Sequence, residues 1–253
     1  MITADLTGKK ALVTGGASGI GFGTVKLFAE MGATVAVNDV PGNPKLDTVI
    51  ADLSAAGLSV IAAPGDLSDA ASTREMVVSA AERMGGLDYL INNAGTPGTT
   101  QPIPPSDLDA QDEAFWDRLM AINLRGPFRC THAALPYLKA AKGAVVSTAS
   151  ISGFGGGGSS STYSVTKAGL INLTKELARG LGPEVRVNAI APGMVDSDWQ
   201  CRFPGVESGD DIESVPLKRV GEPADYAEVI LFLCAGAAYV TGHTVVVDGG
   251  LKA

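Results

Sequence analysis

Tyr163 and Lys167 are the two side chains whose types and spacing most directly suggest chemistry. They lie four residues apart in a stretch with helical periodicity, so both should project from one face of a helix. An unperturbed tyrosine titrates near pH ~10, which is too high for a good base at neutral pH. A lysine ammonium nearby favours the phenolate, so we expect a lowered pKa for Tyr163. Such a pair can transfer a proton as an acid or as a base.

A third polar residue, Ser150, stands 13 residues before Tyr163 at the end of the β-branched run GAVVSTAS. A hydroxyl at a strand end can hydrogen-bond a substrate oxygen and stabilise the charge that develops on it. Taken singly, each feature has a simpler interpretation, because Tyr and Lys four apart are common on helices and serines often end strands. The functional interpretation therefore depends on the elements that bring these residues together.

Seven short β-branched runs alternate with stretches of helical period along the whole chain. The runs are KKALVTG, ATVAVND, LSVIAAP, LDYLINNAG, GAVVSTAS, VRVNAIAPG and HTVVVDGG, and the helical stretches span about 19–31, 69–84, 111–139, 163–180 and 223–234. This alternation predicts an α/β fold, a parallel sheet with helices on both faces. No repeat, linker or low-complexity segment marks a second domain, so we expect one domain over residues 1–253. Ligands of such sheets bind beyond the carboxyl ends of the strands.

A glycine-rich turn follows the first run and leads into an amphipathic helix. It reads Thr14-Gly15-Gly16-Ala17-Ser18-Gly19-Ile20-Gly21. Glycines let backbone N–H groups approach a pyrophosphate, and the N-terminus of the following helix adds a favourable dipole. Since turns use glycine for other reasons, this motif alone leaves a dinucleotide site and a simple turn about equally open.

The second run ends at Asn38-Asp39, 18 residues after Gly21. An acidic side chain there can accept hydrogen bonds from both ribose hydroxyls of an adenosine, and it would repel the 2′-phosphate of NADP. No arginine or lysine follows before Lys45. The alternative, an aspartate that only starts a turn before Pro41, explains this spacing less well. We therefore predict NAD rather than NADP as the cofactor.

Together these features resemble the short-chain dehydrogenase/reductase family, in its single-domain branch of about this chain length. The resemblance is carried in order by TGxxxGxG at 14–21, Asn92-Asn93-Ala94-Gly95, Ser150, Tyr163-xxx-Lys167 and Pro192-Gly193, and it extends from Lys9 to about Gly250. It implies a Rossmann-like, doubly wound sheet of seven parallel strands in the order 3-2-1-4-5-6-7. It also implies an oxidoreductase that works as a homotetramer, with the helices at 111–139 and 163–180 at one interface.

The resemblance also implies roles for individual residues. The catalytic set would be Asn123, Ser150, Tyr163 and Lys167, where Lys167 also holds the nicotinamide ribose and Asn123 binds a water in a proton relay. Asp66 would meet the adenine, and the motif from Asn92 to Gly95 would steady the sheet and line the adenosine pocket. The full set expected to bind the cofactor is Gly15, Ser18, Gly19, Ile20, Gly21, Asp39, Asp66, Leu67, Asn93, Ala94, Gly95, Tyr163, Lys167, Ile190, Pro192, Gly193, Val195 and Ser197.

Two segments flank the predicted reaction site. In the first, Phe154 precedes four glycines, which either leave room for a bulky substrate, the interpretation we favour, or form a loop with no contact role. The second is an irregular stretch at about 194–220, which suits a lid or is simply pinned to the core by its aromatic residues. We expect a substrate pocket for a small to medium hydrophobic secondary alcohol or ketone, such as a cyclic or aryl one. Its residues would be Phe154, Met194, Trp199 and Phe203.

Composition argues against binding of nucleic acids, metal ions and membranes. The formal net charge of -8 gives an acidic surface that repels phosphate backbones, so we expect no nucleic-acid partner. Three cysteines without metal-ligand spacing and two scattered histidines predict no metal site. No apolar run approaches the ~20 residues of a membrane span, and MITADLTGKK lacks a hydrophobic signal region. A cytoplasmic protein with no membrane partner is therefore the default expectation.

The main prediction is an NAD-dependent dehydrogenase of secondary alcohols, or reductase of ketones, with Tyr163 as the acid/base. Two alternatives stay open. An NADPH-dependent ketoreductase of the 3-oxoacyl-carrier-protein type would share the scaffold and the four catalytic residues, and Asp39 without a basic neighbour argues against it. A non-catalytic dinucleotide sensor usually lacks the tyrosine or the lysine, and this chain has both.

Overall fold

A computed structural model shows an open parallel sheet with helices on both faces, and it describes residues 3–196 and 209–253. Within these residues the strands are Lys10–Val13 (β1), Thr34–Val37 (β2), Val60–Ala62 (β3), Tyr89–Asn92 (β4), Ala144–Thr148 (β5), Arg186–Pro192 (β6) and Thr244–Val247 (β7). All neighbouring strands pair in parallel, in the order β3-β2-β1-β4-β5-β6-β7. The predicted Rossmann-like sheet and its strand order are confirmed.

Helices connect the strands in the described part of the chain. They are Gly19–Glu30 (α1), Pro44–Ala55 (α2), Ala70–Met84 (α3), Glu113–Met120 (α4), Gly126–Ala141 (α5), Ser161–Leu181 (α6), Gly209–Ser214 (α7) and Pro223–Leu231 (α8). Single 3-10 turns occur at Asp109–Gln111 and Ile151–Phe154, and π-helical segments at Ala121–Arg125 and Phe232–Gly236.

Helix α2 is absent from the sequence-based prediction. Asn43 caps it by accepting a hydrogen bond from the N–H of Lys45, and Pro44 occupies its first turn, where proline costs nothing. Only Leu46 and Leu53 of this helix are fully buried, so its apolar stripe is narrow and its period is weak. The start signals, rather than the periodicity, are what could have revealed it.

The stretch expected to be one helix over 111–139 is divided. Helices α4 and α5 are separated by a π-helical segment that contains the fully buried Asn123. The Asn123 side chain accepts a hydrogen bond from the N–H of Thr96 at 2.8 Å and donates one to the Thr96 carbonyl at 2.9 Å. A widened helical turn of this kind often occurs at a functional site. Here it joins the helix to the loop that follows β4.

The described parts of the stretch at about 194–220 contain regular structure that the sequence-based prediction lacks. Helix α7 lies within them. Before α7, Val195 forms an isolated parallel bridge with Gly221, which ties the start of the stretch to its end.

Two apolar layers hold the sheet. On one face α1 and α8 pack together, with Phe28, Tyr226 and Ile230 fully buried. On the other face α3 and α5 bury Val77 and Leu138 against the strands. Because both faces are covered, the loops at the carboxyl edge of the sheet start from a rigid platform.

Candidate active site

The glycine-rich turn between β1 and α1 forms the first part of the site. Gly15 and Gly19 adopt φ values of 61° and 51°, which glycine tolerates without strain. A Cβ on Gly21 would lie 2.1 Å from the carbonyl oxygen of Gly15, so the turn has no room for a side chain there. Ser18 precedes α1 without capping it through its side chain. The first N–H groups of α1, which lack intrahelical acceptors, can therefore meet a phosphate.

Asn93 attaches this turn to the ends of β4 and β5. Its Nδ2 donates to the carbonyl oxygens of Thr14 at 3.1 Å and Gly15 at 3.2 Å, and its Oδ1 accepts from the hydroxyl of Thr148 at 3.2 Å. The Thr14 hydroxyl in turn accepts from the N–H groups of Asn93 and Ala94, both at 3.0 Å. The turn and the two strand ends thus form one hydrogen-bonded edge.

Two carboxylates stand at the ends of neighbouring strands beside the turn. Asp39 follows β2, and its Oδ1 accepts a hydrogen bond from the N–H of Val40 at 2.8 Å. Asp66 follows β3, and its Oδ1 accepts from the N–H and the hydroxyl of Ser68 at 2.8 and 2.7 Å. Leu67, beside Asp66, is buried. Both carboxylates are held in place by contacts with their own loops.

Lys167 and Asn123 meet above the end of β4. The Lys167 side chain, 3% exposed, donates from Nζ to the carbonyl oxygen of Thr148 at 2.8 Å. A Cβ on Gly95 would lie 3.4 Å from both the Asn123 Oδ1 and the Lys167 Nζ. Gly95 therefore leaves a small polar space between the two side chains, and a water or a ribose hydroxyl fits that chemistry.

Tyr163 and Ser150 complete the cluster. The Tyr163 side chain is hydrogen-bonded to that of Ser150, and Lys167 Nζ lies 5.6 Å from the centre of the tyrosine ring. Ser150 Oγ accepts hydrogen bonds from the N–H of Ser152 at 3.2 Å and its hydroxyl at 3.0 Å. With its acceptor positions taken, Ser150 directs its own proton towards the phenol or a substrate oxygen. The four residues predicted as catalytic are thus brought together.

The predicted direction of the Tyr163 pKa is wrong for the protein alone. Burial raises the pKa of Tyr163 to about 12, and the hydrogen bond with Ser150 lowers it only in part. Burial also lowers the pKa of Lys167 to about 8. The physical reason is that burial removes water from both groups, and this loss disfavours the charged form of each.

The expected substrate and nicotinamide residues are distributed over several loops. Pro192 ends β6, the N–H of Gly193 donates to the Val247 carbonyl at 2.9 Å, and the carbonyl of Met194 accepts from the Tyr226 hydroxyl at 2.8 Å. Phe154 is 54% exposed in the turn after Ser150. The remaining predicted residues, Ser197, Trp199 and Phe203, lie outside the described part of the chain.

The glycine run after Phe154 has two different parts. A Cβ on Gly155, Gly156 or Gly157 would meet nothing within 4 Å. A Cβ on Gly158 would lie 2.7 Å from Cδ1 of Tyr163, so this glycine lets the loop pack directly on the tyrosine. The first three glycines border open space, as the room-for-substrate interpretation requires.

Sequence reasoning missed two polar residues that hold the start of α6. Ser160 caps the helix by accepting from the N–H of Tyr163 at 3.0 Å, and the run of serines before the helix is a cap signal that was available. Gln111 accepts two hydrogen bonds from Thr162, both at 3.0 Å. No sequence signal marks Gln111, because the contact joins residues 51 positions apart.

Over the described ranges, no group of three or more His, Cys, Asp or Glu side chains is arranged to bind a metal ion. Within the same ranges, none of the helices combines the length and apolar character needed to cross a membrane.

Comparison with known proteins assigns the family. The family model described as Enoyl-(Acyl carrier protein) reductase matches residues 15–252. The chain is 35% identical to the 3-oxoacyl-[acyl-carrier-protein] reductase FabG of Thermotoga maritima over 97% of this chain and 98% of that protein. The chain belongs to the short-chain dehydrogenase/reductase family.

Further short-chain dehydrogenase/reductases resemble the chain over nearly its whole length. A ketoacyl reductase of the granaticin polyketide synthase of Streptomyces violaceoruber is 37% identical, over 95% of this chain and 94% of that protein. The crystal structure of a short-chain dehydrogenase from Burkholderia cenocepacia in complex with NADP superposes with a TM-score of 0.86 at 32% identity, covering 99% of this chain and 100% of that one. The family assignment makes this chain an oxidoreductase that binds a nicotinamide dinucleotide.

Proposed function

We propose that the chain catalyses reversible hydride transfer between a nicotinamide dinucleotide and the carbonyl carbon of a ketone, with Tyr163 as the acid/base. The observation that carries the proposal is the cluster at the carboxyl edge of the sheet. There the phenol of Tyr163 meets the hydroxyl of Ser150, and the Lys167 ammonium faces the tyrosine ring at 5.6 Å. The dinucleotide supplies or accepts the hydride at C4 of its nicotinamide ring.

In the direction of reduction, Tyr163 donates its proton to the substrate oxygen while Ser150 hydrogen-bonds that same oxygen. Ser150 is suited to this because Ser152 already occupies its acceptor positions. The hydrogen bond strengthens as negative charge develops on the oxygen, and this difference lowers the barrier. The Lys167 ammonium stabilises the phenolate that remains, and the Asn123 side chain borders the path by which a proton returns.

The raised Tyr163 pKa favours reduction at neutral pH. With a pKa of about 12 the phenol is fully protonated and ready to act as an acid. Beside the neutral reduced nicotinamide this pKa stays high, whereas the positive charge of the oxidised ring lowers it towards the working range of a base. One tyrosine can therefore serve both directions, because the redox state of the cofactor changes its acidity.

We propose NAD(H) as the preferred cofactor. The fit of a dinucleotide is supported by the side-chain-free turn at Gly21 and by the space that Gly95 leaves beside Lys167. Asp39 favours NAD, since its carboxylate, anchored to the N–H of Val40, would repel a 2′-phosphate. The NADP complex of the Burkholderia cenocepacia relative favours the other cofactor, which makes a direct comparison necessary.

For the substrate, we propose a 3-oxoacyl thioester as the first candidate. The names of the relatives from Thermotoga maritima and Streptomyces violaceoruber support this class, and it replaces the hydrophobic alcohol as the leading candidate. A cyclic or aryl secondary alcohol is the second candidate. It is favoured by the exposed Phe154 and the open space beside Gly155 to Gly157.

We further propose a cytoplasmic homotetramer. Two observations support contact between copies: the exposed apolar side chains of Phe128 on α5 and Val165 on α6, each 49% exposed. A second copy that covers these side chains would remove their apolar surface from water. Light scattering on the purified protein tests the assembly, and a monomer would contradict it.

The test of the proposed function is a matrix of initial rates. NADH and NADPH are each paired with acetoacetyl-coenzyme A and with an aryl ketone, and the reverse reactions are measured with NAD and NADP. We expect turnover with NADH and a higher kcat/KM for the thioester. Absence of turnover in every pairing would contradict the enzymatic function, and NADPH preference would contradict the assignment of Asp39.

A further inference from the structure

The N-terminus of α6 is held by two side chains from different parts of the chain. Ser160, immediately before the helix, accepts a hydrogen bond from the N–H of Tyr163. Gln111 lies 51 residues away, and its Oε1 accepts from both the N–H and the hydroxyl of Thr162 at 3.0 Å. The first N–H groups of any helix lack intrahelical acceptors, so these contacts fix the turn that carries Tyr163.

Gln111 is itself fixed in position. It is 7% exposed, and it ends the 3-10 turn Asp109–Gln111. Its Nε2 donates to the carbonyl oxygen of Asp107 at 3.3 Å, and its N–H donates to the carbonyl of Leu108 at 3.1 Å. The next residue, Asp112, caps α4. Because the Gln111 side chain is bonded to Asp107 at one end and to Thr162 at the other, it fixes the position of Thr162 relative to the 3-10 turn.

The segment 97–111 meets the start of α6 at two further points. The hydroxyl of Ser159 donates to the Pro97 carbonyl at 3.3 Å, and the N–H of Ile103 donates to the Ser159 carbonyl at 2.9 Å. This segment begins next to Thr96, whose backbone is bound by Asn123. It therefore runs from the loop after β4 to the first turn of α6, along one side of the candidate active site.

We propose that Gln111 is a positioning residue for Tyr163, which holds the first turn of α6 so that the phenol meets Ser150. The inference rests on the proposed function. Tyr163 follows Thr162 directly, and Gly158 packs against the tyrosine ring so closely that a Cβ would be 2.7 Å from Cδ1. A shift of Thr162 would therefore move the ring, because the ring has no free space on that side.

The test compares Gln111→Met, which keeps the length of the side chain and removes the acceptor, with Gln111→Glu, which keeps the acceptor. We expect Gln111→Met to lower kcat about ten- to a hundredfold, since small displacements of a catalytic group cost rates of this order. The KM for the dinucleotide should stay within about twofold, because no contact of Gln111 reaches the glycine turn. Gln111→Glu keeps the acceptor for Thr162 and loses the Nε2 donor to the Asp107 carbonyl, so its kcat should lie between those of Gln111→Met and the wild type.

A pH profile separates positioning from simple stabilisation. The hydrogen bond with Ser150 lowers the Tyr163 pKa, and the charged group that faces the ring is Lys167. Loss of that hydrogen bond in Gln111→Met should move the rising limb of the kcat profile for alcohol oxidation to higher pH, because this limb follows deprotonation of Tyr163. A lower melting temperature with unchanged kcat and unchanged profile would show a structural role only, and it would overturn the proposal.

Two controls complete the design. Gln101→Met makes the same change at an exposed position of segment 97–111 and should behave as wild type. Where Gln111→Met does not fold, Thr162→Val removes one of the two hydrogen bonds at a buried site, and an unchanged kcat in that variant overturns the proposal. Tyr163→Phe separates failure of the proposed function from failure of the positioning role. Full activity in that variant contradicts the proposed function. A Gln111 variant without effect contradicts only the positioning role.

Discussion

Ser152 donates two hydrogen bonds, one from its backbone N–H and one from its hydroxyl, to the Oγ of Ser150. A serine hydroxyl has two acceptor positions and one proton. The arrangement therefore leaves Ser150 to act as a donor, and the group it faces is the phenol of Tyr163. Ser152, which is buried, thus sets the direction in which the Ser150 hydroxyl donates its proton.

This relationship predicts that Ser152→Ala lowers kcat while leaving dinucleotide affinity unchanged. Loss of one hydrogen bond to Ser150 should cost about three- to tenfold in kcat, because a neutral hydrogen bond contributes about 0.5–1.5 kcal/mol. Steady-state kinetics and a binding titration with the dinucleotide measure the two effects. Ser54→Ala, which removes an exposed serine hydroxyl from α2, is the control and should leave kcat unchanged. Equal losses in both variants would contradict the assigned role of Ser152.

Asp39→Ser should change the choice of cofactor. Removal of the carboxylate takes away the acceptor for the ribose hydroxyls and the repulsion of a 2′-phosphate, so the ratio of kcat/KM for NADH over NADPH should fall about ten- to a hundredfold. The control is Asp47→Ser, which removes an exposed carboxylate from the first turn of α2 and should leave the ratio unchanged. A ratio that is unaffected by Asp39→Ser would remove Asp39 from the cofactor site.

Two glycine substitutions should act in opposite directions on stability. Gly21→Ala places a Cβ 2.1 Å from the Gly15 carbonyl, so it should destabilise the protein by about 1–3 kcal/mol and abolish dinucleotide binding. Gly180→Ala puts a methyl group into open space in the last turn of α6 and should stabilise it by about 0.5–1 kcal/mol. Denaturant unfolding measures both. Tight dinucleotide binding by Gly21→Ala would contradict the assigned phosphate contact.

The pH dependence should differ between the two directions of the reaction. Reduction requires the protonated phenol, so its rate should be level through neutral pH and fall only as the pH approaches the raised pKa of Tyr163. Oxidation requires the phenolate and should rise with pH. Ser150→Ala removes the interaction that lowers this pKa, so both limbs should move to higher pH. An oxidation rate that falls as the pH rises would contradict the assignment of Tyr163 as the base.

Local patterns in the sequence were sufficient to predict a parallel sheet with helices on both faces, and the family resemblance supplied the order of its strands. Each strand is a short apolar run followed by a turn, and both faces of the sheet are buried, so the runs are nearly continuous. Spacing and family resemblance also predicted the residues that meet near Tyr163. Helix α2 was not predicted, because its apolar stripe is narrow and its start is marked mainly by the Asn43 cap. The widened turn at Asn123 was not predicted, because it depends on a contact with Thr96.

Contacts between distant segments account for what the sequence did not reveal about the site. Gln111 reaches Thr162 only after the chain has folded, and a glutamine in a polar loop carries no signal of that contact. The Tyr163 pKa depends on how much water the fold removes from the phenol, and a pair of residue types four apart says nothing about burial. The raised pKa, opposite to the expected direction, follows from burial of the phenol, which disfavours its charged form.

The most direct test of the central claim is single-turnover hydride transfer by Tyr163→Phe with the dinucleotide and the best ketone of the rate matrix. The phenyl ring keeps the packing against Gly158 and removes the hydroxyl, which carries the transferred proton and hydrogen-bonds Ser150. Loss of general acid catalysis should slow the hydride-transfer step about 10²- to 10⁴-fold, while the Kd of the dinucleotide stays within about twofold. Transfer at the wild-type rate in this variant would contradict the account.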